Sequence, residues 1–153
     1  MKFLLTVVFA LFLVGNVAGA CNDCECPDFI SLDASGDSNV FFTQHAGCAA
    51  NATCVGYTTL HASWSETTIP PPPDNLLAGD FWINTYDSPP PTPTDPIEMF
   101  SYFGIVCENK TWYATKYPHG IQYFGSRNYA YTGYQDEYQG KKTEIDFFSC
   151  KPY

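Results

Sequence analysis

Two mostly apolar runs flank the polar pair Asn109-Lys110. Tyr-Phe-Gly-Ile-Val-Cys-Glu precedes the pair and Thr-Trp-Tyr-Ala-Thr-Lys-Tyr follows it. Two β-prone runs about a two-residue loop predict a hairpin. This register sets Glu108 opposite Thr111, Cys107 opposite Trp112, Val106 opposite Tyr113 and Ile105 opposite Ala114. Since successive strand residues point to opposite faces, Ile105, Cys107, Trp112 and Ala114 share one face. Tyr102, Val106, Tyr113, Thr115 and Tyr117 share the other. The first reads as core. The second makes Tyr102, Tyr113 and Tyr117 the candidate binding residues.

The same patterning predicts further strands over 29–32, 40–43, 53–61, 80–86, 120–124 and 143–150, with the central hairpin built from 97–107 and 111–117. Segment 80–86 is expected as an edge strand or capping hairpin. Nine of the twelve prolines fall within 70–96. Proline cannot donate to a sheet ladder, so that region reads as extended, proline-rich loops. No segment sustains a helical apolar period. The expected fold is mainly β: a small disulfide-bonded, β-sandwich-like domain with proline-rich loops.

The start of the chain is of another kind. Met1-Lys2 leads into an uncharged apolar run from Phe3 to Val14, and Ala18-Gly19-Ala20 precedes Cys21. That is the layout of a secretory signal peptide, with cleavage expected after Ala20. The run is too short for the roughly 20 residues of a membrane-spanning helix. Residues 21–153 then form one extracellular domain, with no later segment able to span a membrane. Acylation of Cys21, as in a bacterial lipoprotein, is the competing reading of the same stretch.

Without residues 1–20 the chain has six basic and sixteen acidic residues, a net charge of −10, and 21–109 contains no Lys or Arg. Nucleic acid is excluded as a partner on this balance. The acidic loop over 33–39 lacks the ligand spacing of a calcium-binding EF-hand. Cys21, Cys24, Cys26, Cys48, Cys54, Cys107 and Cys150 all follow the leader. In an exported chain they imply a disulfide framework of six, with the odd cysteine sought in the Cys21, Cys24, Cys26 cluster. Cys107, sharing the presumed core face with Trp112, is expected to pair with a cysteine in the first half and not with Cys150. An alternative zinc set of Cys24, Cys26, His45 and Cys48 gives way to disulfides in an oxidising compartment. Asn51-Ala-Thr and Asn109-Lys-Thr are N-glycosylation sequons.

No serine or cysteine sits in a nucleophile signature, and acids such as Glu66 and Asp74 show no constraint that would pair them as glycosidase carboxylates. No catalytic residue, cofactor or metal is therefore expected. After residue 20 the chain holds 23 aromatic residues in 133, which serve either a β core or a binding surface.

Cys21-x-x-Cys24 after a leader, Cys48 and Cys54, Cys107 followed by Asn-Lys-Thr-Trp112-Tyr, and the terminal Cys150 together resemble a secreted nematode six-cysteine domain family of unknown function. The resemblance implies an extracellular disulfide-bonded β domain and lends no catalytic residues. Cys26 and the proline-rich segment depart from its pattern. The functional expectation is a binding or structural module for an unknown extracellular protein or glycan. A secreted hydrolase and a secreted defence or inhibitor protein are the alternatives.

Overall fold

The computed structural model describes residues 24–36, 39–76, 79–85, 95–126, 128–133 and 135–152. The expected leader over 1–20, the region around Cys21, and residues 86–94 of the proline-rich region lie outside them. In chain order the strands are β1 (Val40–Gln44), β2 (Ala50–Cys54), β3 (Tyr57–Ser63), β4 (Asp80–Asn84), β5 (Ile97–Glu98), β6 (Val106–Glu108), β7 (Thr111–Ala114), β8 (Ile121–Phe124), β9 (Tyr129–Thr132), β10 (Thr143–Glu144) and β11 (Phe147–Lys151). One short helix, α1 (Met99–Phe103), lies between β5 and β6. The protein is mainly β. Its strands form three antiparallel sheets ordered β1-β2-β5, β10-β7-β6 and β11-β3-β4-β8-β9. Buried residues of all three sheets belong to one hydrophobic cluster.

The hairpin forms about Asn109 and Lys110 with Glu108 opposite Thr111, Cys107 opposite Trp112 and Val106 opposite Tyr113. Both loop residues have positive φ, 51° and 67°, as a turn matched to the strand twist requires. The ladder stops there. Ile105 N–H donates instead to the carbonyl of Phe100, and the Thr115 and Lys116 amides turn to the carbonyl of Phe103. The expected pair Ile105 and Ala114 does not form, and Ala114 lies opposite Thr143 on the other edge of β7.

Several sequence expectations are corrected by tertiary partners. Residues 29–32 form a 3-10 turn rather than a strand, because the Asp28 side chain accepts from Ile30 N–H while Phe29 is fully buried. Segment 53–61 divides between β2 and β3 at Val55-Gly56, where a Cβ on Gly56 would lie 1.9 Å from the Lys151 carbonyl oxygen. The run 97–107 is interrupted by α1: the Glu98 carboxylate accepts from the Phe100 and Ser101 amides, and Gly104 closes the helix at φ 59°. Segment 143–150 divides between β10 and β11, which belong to different sheets, as Ile145 N–H reaches Trp112 and Asp146 N–H reaches His61. Finally, β4 is not an edge. It lies between β3 and β8 at the centre of the largest sheet.

Three disulfides join these parts: Cys24–Cys48, Cys26–Cys107 and Cys54–Cys150. Cys107 thus reaches back to the first half of the chain. The segment carrying Cys26 is also held across the hairpin by Trp112 Nε1 donating to the Pro27 carbonyl at 2.8 Å and by Asn109 N–H donating to Glu25 Oε1 at 3.1 Å.

Candidate functional site

Register in the five-stranded sheet assigns every side chain to one of two faces. Phe148, Cys150, Thr58, Leu60, Ala62, Phe81, Ile83, Ile121 and Tyr123 all point to one side and are buried. The other side carries a single row of directly opposed residues, Phe147, His61, Trp82, Gln122 and Tyr131, one from each strand. Five strands place its ends roughly 19 Å apart. A second row adds Ser149, Thr59 and Asn84, and Phe124 faces Tyr129.

The aromatic groups on this face contact one another in sequence. His61 stacks on Phe147 with centroids 4.1 Å apart. Trp82 meets His61 edge to face and donates from Nε1 to His61 Nδ1 at 2.8 Å. On its other side Trp82 meets Tyr129 at 5.7 Å, and Tyr129 meets Phe124 at 5.5 Å. Tyr129 remains 57% exposed and Phe147 39% exposed, both high for large aromatic side chains in a strand. Beside the rings runs a hydrogen-bonded chain: Asn84 Nδ2 donates to Gln122 Oε1 at 2.8 Å, and Gln122 Nε2 donates to Tyr131 Oη at 2.7 Å. Asn84 is 2% exposed, and its Oδ1 has no hydrogen-bond partner among the described residues.

The face is nearly uncharged. Burial, aided by Lys151, lowers the His61 imidazole below its ordinary value against the weaker pull of Asp80, and Nδ1 is already accepting from Trp82. His61 is accordingly neutral at physiological pH. Asp80 and Lys151 stand at the ends of their strands, opposite Ser63 and Tyr57.

An acidic group lies just beyond the sheet. Burial, and then a hydrogen bond with Glu66, push the Asp146 carboxyl up to about 6, with Glu144 and Asp80 adding repulsion. A carboxyl raised on folding binds its proton more tightly in the native than in the unfolded state. Its contribution to stability therefore falls as pH rises from the unfolded value of 3.8 to about 6. Asp146→Asn is expected to flatten the melting-temperature profile across that window and to gain most at neutral pH. Superimposable profiles for the two proteins would contradict this.

The sequence-predicted binding residues do not form one surface. Tyr113 lies on the outer side of the hairpin with Lys142 Nζ 4.5 Å above its ring. Tyr102 belongs to α1, and its hydroxyl donates to the Thr85 carbonyl at 3.5 Å. Tyr117 is the correction: it is 4% exposed, beyond the end of β7, with its hydroxyl 2.8 Å from Thr143 Oγ1. Burial pushes that hydroxyl up to about 12. Asn51 and Asn109 are both exposed. Of the acids considered for catalysis, Asp74 accepts from Tyr123 Oη at 2.9 Å while Glu66 faces Asp146. The sulfurs of Cys24, Cys26 and Cys48 are committed to disulfides.

The outer sheet face was missed at the sequence level although its strands were largely found. The available signal was the alternation around His61, Trp82 and Gln122. Without the register it assigned no common face.

No curated relative and no solved structure matches the chain. A family profile described as TRA-1 regulated protein R03H10.4, a nematode family of unknown function, matches residues 22–150. That span takes in all three sheets and all three disulfides, and the chain belongs to the TRA-1 regulated protein R03H10.4 family.

Proposed function

We propose that this protein is a secreted extracellular module that binds neutral glycan chains across the outer face of its five-stranded sheet. The observation that carries the reading is the row Phe147, His61, Trp82, Gln122, Tyr131, in which three rings are followed by an amide and a phenol across the sheet. Sugar rings offer C–H faces that suit the electron-rich face of an aromatic ring, and hydroxyls that suit amide and hydroxyl groups. The near absence of charge on the face favours an uncharged chain over an acidic one.

Secretion is supported by the leader-like residues 1–20 and by three disulfides, which persist in oxidising compartments. Glycosylation at Asn51 and Asn109 fits their exposure. Catalysis has no support of comparable kind, since His61 Nδ1 is engaged by Trp82 Nε1 rather than by a hydroxyl or thiol. A protein ligand is the competing occupant.

The test is binding of the secreted chain to an array of neutral and acidic glycans, followed by titration of the best neutral ligand against Tyr129→Ala. Tyr129 is more than half exposed, so its removal leaves the fold intact. The expected loss is about tenfold in affinity, as for one aromatic contact worth roughly 1.4 kcal/mol. Unchanged affinity in Tyr129→Ala, or binding confined to acidic chains or to proteins, would overturn the reading.

A further inference from the structure

Two of the disulfides lie against each other. Cys24 Sγ, bonded to Cys48, is 3.9 Å from Cys107 Sγ, bonded to Cys26. The sulfurs of Cys24, Cys26 and Cys107 all fall within 4.8 Å of one another. Such contact places a potential sulfur nucleophile beside a disulfide it could attack. The third bridge, Cys54–Cys150, is wholly buried.

The two adjacent bridges differ in access. Cys24 and Cys48 are both partly exposed, whereas Cys26 is buried, with its sulfur 3.3 Å from the Thr111 carbonyl. A cavity of about 490 Å³ opens beside them, lined by Cys24, Cys26, Pro27, Asp28, Phe42 and Gln44. Its size is in the range that admits a small molecule. Cys24 and Cys26 reach that cavity while Cys48 is partly exposed outside its lining, and in the second bridge only Cys107 is partly exposed.

We propose that the paired bridges form a thiol–disulfide exchange site at which a small extracellular thiol, of the size of a tripeptide, is taken up on Cys48 and the opening is relayed through Cys24 to Cys107. In the first step the entering thiolate attacks Cys48 Sγ. The bond to Cys24 breaks, and Cys24 leaves as thiolate. In the second, Cys24 Sγ attacks Cys107 Sγ across the 3.9 Å contact. A Cys24–Cys107 bond forms, the Cys26–Cys107 bond breaks, and Cys26 leaves as thiolate and takes a proton from water. Each step exchanges one S–S bond for another, so no net oxidant or reductant is consumed. The reverse sequence expels the small thiol and restores both bridges. Cys48 is thus a site of reversible S-thiolation, and the segment that crosses the hairpin stays bonded to Cys107 through Cys24 while its tie to Cys48 is released.

The experiment uses the full secreted chain carrying Cys21→Ser, so that every thiol detected comes from an opened bridge. It is incubated with reduced glutathione under non-denaturing conditions, quenched with acid, alkylated and digested with pepsin. Trypsin is unsuitable because no Lys or Arg lies between Cys21 and Asn109. Fragmentation of the peptide holding both Cys24 and Cys26 then locates the alkyl group. The expected product carries glutathione on Cys48, a Cys24–Cys107 bond and alkylated Cys26, with Cys54–Cys150 intact. In the same background, Cys24→Ser/Cys48→Ser removes the relay. Exposure of Cys26 should then be at least about tenfold slower, since the attack on Cys107 is no longer intramolecular.

Glutathione found on Cys24 with Cys26–Cys107 intact would overturn the proposal. So would opening of Cys26–Cys107 at the same rate in the double variant, or simultaneous opening of all three bridges, which would mean that reduction follows unfolding.

Discussion

Trp112→Ala is expected to destabilise the fold by roughly 3 to 5 kcal/mol, a cost typical of truncating a large core aromatic. In melting temperature that is a fall on the order of 10 to 20 °C for a domain of this size. Trp112 is 3% exposed and meets Phe29 at 5.4 Å and Phe100 at 5.7 Å, both edge to face. Its Nε1 donates to the Pro27 carbonyl, so truncation also leaves a carbonyl at the crossing segment without its donor. The comparison that gives the measurement meaning is Tyr113→Ala. Tyr113 is the next residue on β7, points to the opposite side and is only half-buried beneath Lys142. Its loss should cost under about 1.5 kcal/mol. Tyr117→Ala should behave like Trp112→Ala rather than like Tyr113→Ala, because Tyr117 packs edge to face on Tyr138 and bonds Thr143. Denaturant melts of the three variants decide the matter. A Trp112 variant of native stability, or a Tyr113 variant equally crippled, would refute the assignment of faces on β7.

What could be read from sequence follows the range of the contacts involved. The turn at Asn109-Lys110 is local, and it fixes the register of three opposed pairs without reference to the remainder of the chain. The parity extended from it holds through Ala114. It fails at Tyr117 because the strand ends where the Thr115 and Lys116 amides turn to Phe103. The alternation over 143–150 shifts phase at Phe147-Phe148, but it takes partners distant in sequence, Ala114 for Thr143 and His61 for Phe147, to divide the segment between two sheets. Helix α1 has five residues, too few for a period to register. Its signature is the carboxylate of Glu98 ahead of Phe100 and Ser101, a cap rather than a pattern. The outer sheet face needed four strand pairings at once. Residues 64–79 separate β3 from β4, and β11 returns to β3 from near the other end of the chain. Hydropathy carries no information about such registers, so Trp82 and Tyr129 could be found as aromatic residues but not as neighbours.

Removing the Cys54–Cys150 bridge, as Cys54→Ala/Cys150→Ala, is expected to cost about 5 kcal/mol, more than removing Cys24–Cys48. The two bridged positions are 96 residues apart in the first case and 24 in the second. Chain entropy alone then predicts roughly 4.7 against roughly 3.5 kcal/mol. Location widens the gap. Cys54 ends β2 and Cys150 lies in β11, so the bridge fastens the β1-β2-β5 sheet to the five-stranded sheet through fully buried sulfurs. Alanine at both sites leaves a cavity in the core, whereas Cys24 and Cys48 are partly exposed and their neighbourhood can relax around the loss. A penalty of that size is comparable with the total stability of many domains. The Cys54/Cys150 variant should therefore be poorly folded at physiological temperature, while the Cys24/Cys48 variant should fold and melt lower. Equilibrium unfolding of both, under conditions that leave the other bridges oxidised, separates the terms. Equal midpoints for the two variants would show that neither loop length nor the joining of two sheets governs what these bridges contribute.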